Sequence, residues 1–142
     1  MAKFNFRLQS VIKVKEIQEK KIQRELAQIK KRLLQERERL EDLEGERERL
    51  VSSSPLNGKV RAADVVVHQN YIRKISDEIH FENARIENLT ESETKKIDEV
   101  LDVKKDKEAI EQLKEKKLEE FKREQDHKEQ ILLDAVAQRI SG

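Results

Sequence analysis

The sequence predicts an all-α protein, a long two-helix antiparallel coiled-coil hairpin with an overlong second helix. Three observations carry that prediction. Apolar residues recur at alternating steps of three and four along almost the whole chain. Helix breakers gather in one short stretch, Ser52-Ser53-Ser54-Pro55-Leu56-Asn57-Gly58. Charged residues make up 43% of the 142 residues against 35% for the hydrophobic class. An ordinary globular domain is about 25% charged and roughly 45–50% apolar, so too little apolar material remains here for a multilayer core. Disorder and coiled coil share such a composition, and the periodicity selects the coiled coil.

The first helix is expected over about residues 6–51. Ile22, Leu26, Ile29, Leu33, Leu40, Leu43 and Leu50 share one face, with Glu36 and Arg47 filling two positions of the same seam. This heptad spacing keeps a stripe aligned with a partner helix as both supercoil. Upstream, Leu8 and Ile12 continue the phase while Lys15 and Glu19 interrupt it, and Val11, Val14 and Ile17 suggest a local shift of the buried face. Gly45 is the one interior breaker, costing about 1 kcal/mol against alanine. Such a helix would be roughly 70 Å long.

The turn is expected over residues 52–60. Pro55 lacks an amide donor and pushes Ser54 out of helical geometry, and Asn57-Gly58 tolerates positive φ. The second helix, expected over about 61–139, would begin near Asp64, whose carboxylate suits the positive end of the helix dipole. Its seam runs through Val65, Ile72, Ile75, Ile79, Ile86, Leu89, Val100, Val103 and Ile110, with His68, Glu82, Glu93 and Lys96 at leaky positions. With no Pro or Gly between Lys59 and Ser141, nothing local breaks a helix of roughly 115 Å. Folding back about Leu56 sets Leu40 near Ile72, Leu33 near Ile79 and Leu8 near Val103. Beyond about Lys107 the second helix then runs out of partner, an overhang of roughly 50 Å. Lys107, Lys114 and Lys117 occupy the seam just there, before Phe121, Leu132, Leu133, Val136 and Ile140 restore an apolar stripe. A bare apolar stripe on an isolated helix calls for a partner.

Composition also narrows the function. Lys and Arg number 31 and Asp and Glu 30, interleaved to a net charge of +1, which argues against a nucleic-acid arm. The absence of cysteine removes disulfides and thiolate metal sites and fits a reducing compartment. No apolar run approaches the roughly 18 residues of a membrane span, and no apolar N-terminal signal segment is visible. The expectation is a soluble, intracellular chain that binds no nucleic acid and inserts in no membrane. His68, His80 and His127 lack neighbouring ligands at metal-binding spacing. The carboxylates read as a solvated face with nothing to desolvate them, and no glycine-rich loop can cradle phosphate. No cofactor and no enzymatic activity are expected, because a hairpin burying one narrow stripe leaves no room for a catalytic pocket.

The opening Phe4-Asn5-Phe6-Arg7-Leu8-Gln9-Ser10-Val11 resembles the N-terminal FxFRLQ signature of the FliJ proteins of bacterial flagellar export. The stretch from Asp64 to Ile79, with His68-Gln69-Asn70-Tyr71-Ile72, is similar to that family's start of helix two. Lys114-Glu115-Lys116-Lys117-Leu118-Glu119-Glu120-Phe121 and Leu133-Asp134-Ala135-Val136-Ala137 are similar to its C-terminal pattern.

That resemblance implies a non-enzymatic central stalk, an antiparallel coiled coil entering the hole of the hexameric flagellar export ATPase. It further implies contacts with the cytoplasmic domain of the membrane export gate and with export chaperones, and a cytoplasmic place at the inner face of the cell membrane. The family's gate-contacting surface carries over to Tyr71 and Ile75, while Glu78 stands where a small residue is expected. The uncovered Leu132, Leu133, Val136 and Ile140, assisted by an unpaired Phe4 and Phe6, are then expected to meet the ATPase ring. The alternatives are a stalk of a virulence type III secretion system, a homodimerising coiled-coil scaffold and an export-substrate chaperone.

Overall fold

A computed structural model of the chain describes residues 2–53 and 61–141. Among them stand two helices and no strand: α1, Gln9–Ser52, of 44 residues, and α2, Ala62–Ser141, of 80 residues. The protein is all-α, a helical hairpin with the longer helix second. Pro55, Leu56, Asn57 and Gly58, the centre of the expected turn, lie outside the described residues. The chain falls into two compact units: residues 22–98 form one, and residues 1–21 with 99–142 form the other.

The helix ends follow local chemistry. Leu8 caps α1 with its carbonyl, which accepts from the amides of Val11 at 3.0 Å and Ile12 at 3.1 Å. At the other end Ser53 folds back, its amide donating to the Arg49 carbonyl at 2.9 Å and its hydroxyl to the Leu50 carbonyl at 3.3 Å. This satisfies carbonyls that a helix terminus leaves without partners. α2 opens on the Arg61 carbonyl, with Asp64 in its first turn where the dipole favours a negative charge. Gly45 has no packing role, since a Cβ there would meet nothing within 4 Å.

Within the unit of residues 22–98 the two seams face each other. Leu33, Ile75 and Ile79 are buried at 2%, 3% and 5% exposure, and Glu82 is buried with them at 1%. The other seam residues there, from Ile22 to Leu50 on α1 and from Val65 to Lys96 on α2, are half-buried. Their register differs from the expected one. If Leu40 paired with Ile72, Arg39 would lie beside Arg73. Instead Arg39 Nε reaches Glu82 Oε2 at 3.7 Å, and Lys96 Nζ bonds Glu25. The pairing is displaced by about one heptad. A seven-residue pattern looks the same after a slip of seven, so apolar spacing alone leaves that choice open. Arg39–Glu82 and Lys96–Glu25 favour the observed choice, because they set opposite charges across the seam.

In the other unit Ile12 is buried at 4% and Val100 at 7%. The expected shift of the α1 face does not occur: Val14 and Ile17 are 51% and 67% exposed. The original phase continues through Lys15 and Glu19. Lys15 bridges Asp106 at 3.3 Å and Glu19 takes Lys107 at 2.8 Å, with Glu19 and Lys107 only 13% and 22% exposed at their side chains. Cross-helix pairing lets these charged groups occupy seam positions without rotating the helix. That bond, more than the burial opposing it, raises the pKa of Lys107.

Replacing Glu36 and Glu82 by cysteines should give, on oxidation, a disulfide within one chain, whereas cysteines at Leu33 and Ile79 should remain reduced. The test is a mobility shift under non-reducing denaturing electrophoresis. Efficient closure of the second pair and not the first would restore the register read from apolar spacing.

Candidate partner-binding surfaces

Three surfaces were expected to meet partners. On α2, Tyr71 is 45% exposed and donates its hydroxyl to Glu46 Oε1 of α1 at 3.1 Å. The bond and the negative charge of Glu46 push the tyrosine pKa above 10.0. Ile75 does not join it at the surface. At 3% exposure it is seam core, which corrects the expectation of an exposed Tyr71–Ile75 pair. One helical turn separates the two residues, and Ile75 falls on the heptad face while Tyr71 sits one step off it. Ile75 carries both readings in the sequence; burial decides for the core.

The second surface lies at the start of the chain. Residues 2–6 form no regular secondary structure and lie along α2 in the unit they share with residues 99–142. Phe4 and Phe121 pack with ring centroids 5.6 Å apart and planes tilted by 50°, a geometry worth about 0.5–1.5 kcal/mol beyond burial. Phe4 is therefore paired, and Phe4 and Phe6 are both half-buried, against the expectation of two unpaired rings. Helix α2 accordingly keeps a partner well past Lys107. A non-helical segment can advance about 3.3 Å per residue against 1.5 Å for a helix, so five residues can cover roughly eleven of α2. Unequal helix lengths thus overstate the overhang.

Between this segment and α2 runs an open groove of about 780 Å³, lined by Phe4, Phe6, Leu8, Leu113 and Phe121 and edged by Lys3, Arg7, Lys117, Glu120 and Glu124. The groove forms because a third strip of chain lies beside the two helices there. Among the described residues no three His, Cys, Asp or Glu side chains gather where they could hold a metal ion.

The third surface is the end of α2. Every residue from 126 to 141 is exposed, among them Leu132 at 65%, Leu133 at 64%, Val136 at 48% and Ile140 at 81%. Ile131 belongs with them at 55% exposure, missed in the sequence because it falls off the stripe's main rows. No helix among the described residues is long and apolar enough to cross a membrane.

Two long helices closed on a partly charged seam, with apolar side chains left exposed at the end of α2, define a coiled-coil protein. The sequence matches the family model described as the flagellar FliJ protein over residues 4–142. The chain belongs to the FliJ family and is a component of the flagellar export apparatus. Among curated proteins and among solved structures, nothing matches it.

The two α2 residues should separate cleanly on substitution. Ile75→Ala should lower the unfolding free energy by about 2–4 kcal/mol, the cost of a cavity in a well-packed site, and Tyr71→Ala by under about 1 kcal/mol. Urea denaturation followed by circular dichroism measures both. Equal losses would return Ile75 to the surface.

Proposed function

We propose that this chain is the non-enzymatic central stalk of the flagellar export apparatus, binding and stimulating the hexameric export ATPase and contacting the cytoplasmic domain of the export gate and export chaperones. The observation that carries the reading is the bare end of α2. Sixteen consecutive exposed residues include five large apolar side chains, and a covering surface would remove that area from water at about 25 cal/mol per Å². The hole of an ATPase ring supplies such a surface on all sides of a helix. Leu132, Leu133, Val136 and Ile140 would enter it. Phe4 and Phe6 would contribute through the groove they form with Phe121, with no need for free rings.

Gate contact is assigned to Tyr71, which is exposed and tied to Glu46 of α1, while Ile75 one turn away stays in the seam core. The protein would work in the cytoplasm at the inner face of the membrane, recruited there by the apparatus. Its part in turnover is assembly: a rod that fits a closed ring favours closure, and the chemistry stays with the ATPase.

Truncation after Arg123 keeps Phe121 and the seam and removes the bare stripe. Hydrolysis by purified flagellar export ATPase should then fall to its rate without the stalk, while binding to the gate domain stays within about twofold. Undiminished stimulation by the truncated chain would overturn the assignment of the α2 end to the ring. If the full chain self-associates and the truncated one does not, the stripe belongs to pairing with a second copy.

A further inference from the structure

The seam of residues 22–98 contains an arrangement unrelated to any partner. Glu36 on α1 and Glu82 on α2 both occupy core positions, where a coiled coil normally places Leu or Ile. Glu82 is 1% exposed and Glu36 is half-buried, and the two side chains meet. Leu33 and Ile79, each one turn away on its helix, are buried at 2% and 5%.

The polar accounting around the pair is uneven. Glu82 Oε2 is served twice, by Arg85 of its own helix at 3.2 Å and by Arg39 of α1 at 3.7 Å. Glu82 Oε1 and Glu36 Oε2 are buried with no hydrogen-bond partner. Two ionised carboxylates cannot serve each other, since both only accept. One proton between them turns two orphans into donor and acceptor and removes a like-charge contact from a low-dielectric site. The groups facing the pair are Arg32, Arg39 and Arg85, all basic. Arg39 and Arg85 are 60% and 55% exposed at their side chains, so solvent screens much of their charge.

We propose that Glu36 and Glu82 form a proton-binding latch across the hairpin, in which one shared proton closes the seam at this point and its loss loosens it. The chain would thereby carry a pH-sensitive joint in the middle of its coiled coil, set by its own residues.

The direction of the response follows from the two groups. Burial first, then the bond and charge of Glu36, push the Glu82 carboxyl above its ordinary 4.5; the bond to Glu82 holds Glu36 below it. A raised carboxyl contributes stability that is full below its unfolded value and lost as pH rises through its folded value. A depressed one contributes stability that is full above its unfolded value and lost as pH falls through its folded value. The pair is therefore most stabilising near pH 4.5 and weakens as pH rises through the raised value of Glu82.

The test uses the full chain, with ¹³C NMR of the glutamate side-chain carboxyls and thermal melts between pH 4.5 and 8. Wild type should show one glutamate titrating above the ordinary range and one below it. Glu82→Gln puts a permanent amide donor beside Glu36; it should abolish the raised titration, and at pH 8 melt a few degrees above wild type. Its melting temperature should fall less than that of wild type between pH 4.5 and 8. Comparing the two chains cancels the histidines and other carboxylates common to both. Glu36→Gln should likewise bring the Glu82 titration down, by removing the neighbouring negative charge. Two glutamates titrating at the ordinary value, or equal pH slopes in wild type and Glu82→Gln, would overturn the latch.

Discussion

The chain depends on one narrow contact, the seam between two helices that bury little else. A helix shows a partner only a stripe of its surface, so each seam position carries a larger share of the folding free energy than a residue in a layered core does. Several of these positions are charged. Glu36, Glu82 and Lys96 in one unit, and Lys15, Glu19 and Lys107 in the other, stand where apolar residues would give greater adhesion. Their compensation is definition. A half-buried charge without its partner costs free energy that no neighbouring heptad restores. Leu and Ile fit nearly as well one heptad along; Lys96 without Glu25 does not.

That division of labour explains which features were legible in the sequence. Every residue assigned to the two central seams, from Ile22 to Leu50 and from Val65 to Ile110, is buried or half-buried, because helical periodicity is a local property. Register is non-local and was misread by about one heptad when inferred from a fold centre at Leu56. Lys15 and Glu19 were misread for a related reason: a charged residue on a seam looks like an interruption until its partner across the seam is known. The outcome at Val14 and Ile17 follows, since an apolar residue off the seam is simply exposed. Phe4 was hidden by a different limit. A segment with no regular structure gives no periodicity to read, and its reach along α2 depends on chain geometry alone.

The same physics organises the surfaces. Tyr71 stands outside the seam, tied to Glu46, and Ile75 within it. Where the N-terminal segment ends its run along α2, cover ends too, and residues 126–141 project into solvent with their apolar side chains. Membership of the FliJ family places this chain in the flagellar export apparatus.

The claim that charged seam pairs select the register is tested most directly by reversing one of them. Glu19 and Lys107, at 2.8 Å and largely buried, are suited to a charge-swap cycle read by thermal denaturation. Glu19→Lys alone and Lys107→Glu alone should each lower the melting temperature by roughly 3–8 °C, the shift expected for one to two kcal/mol in a chain of this size, and the double reversal should recover most of the loss. If the double reversal is as unstable as the two single losses added together, the residues do not face each other, and the register rests on the apolar stripe alone.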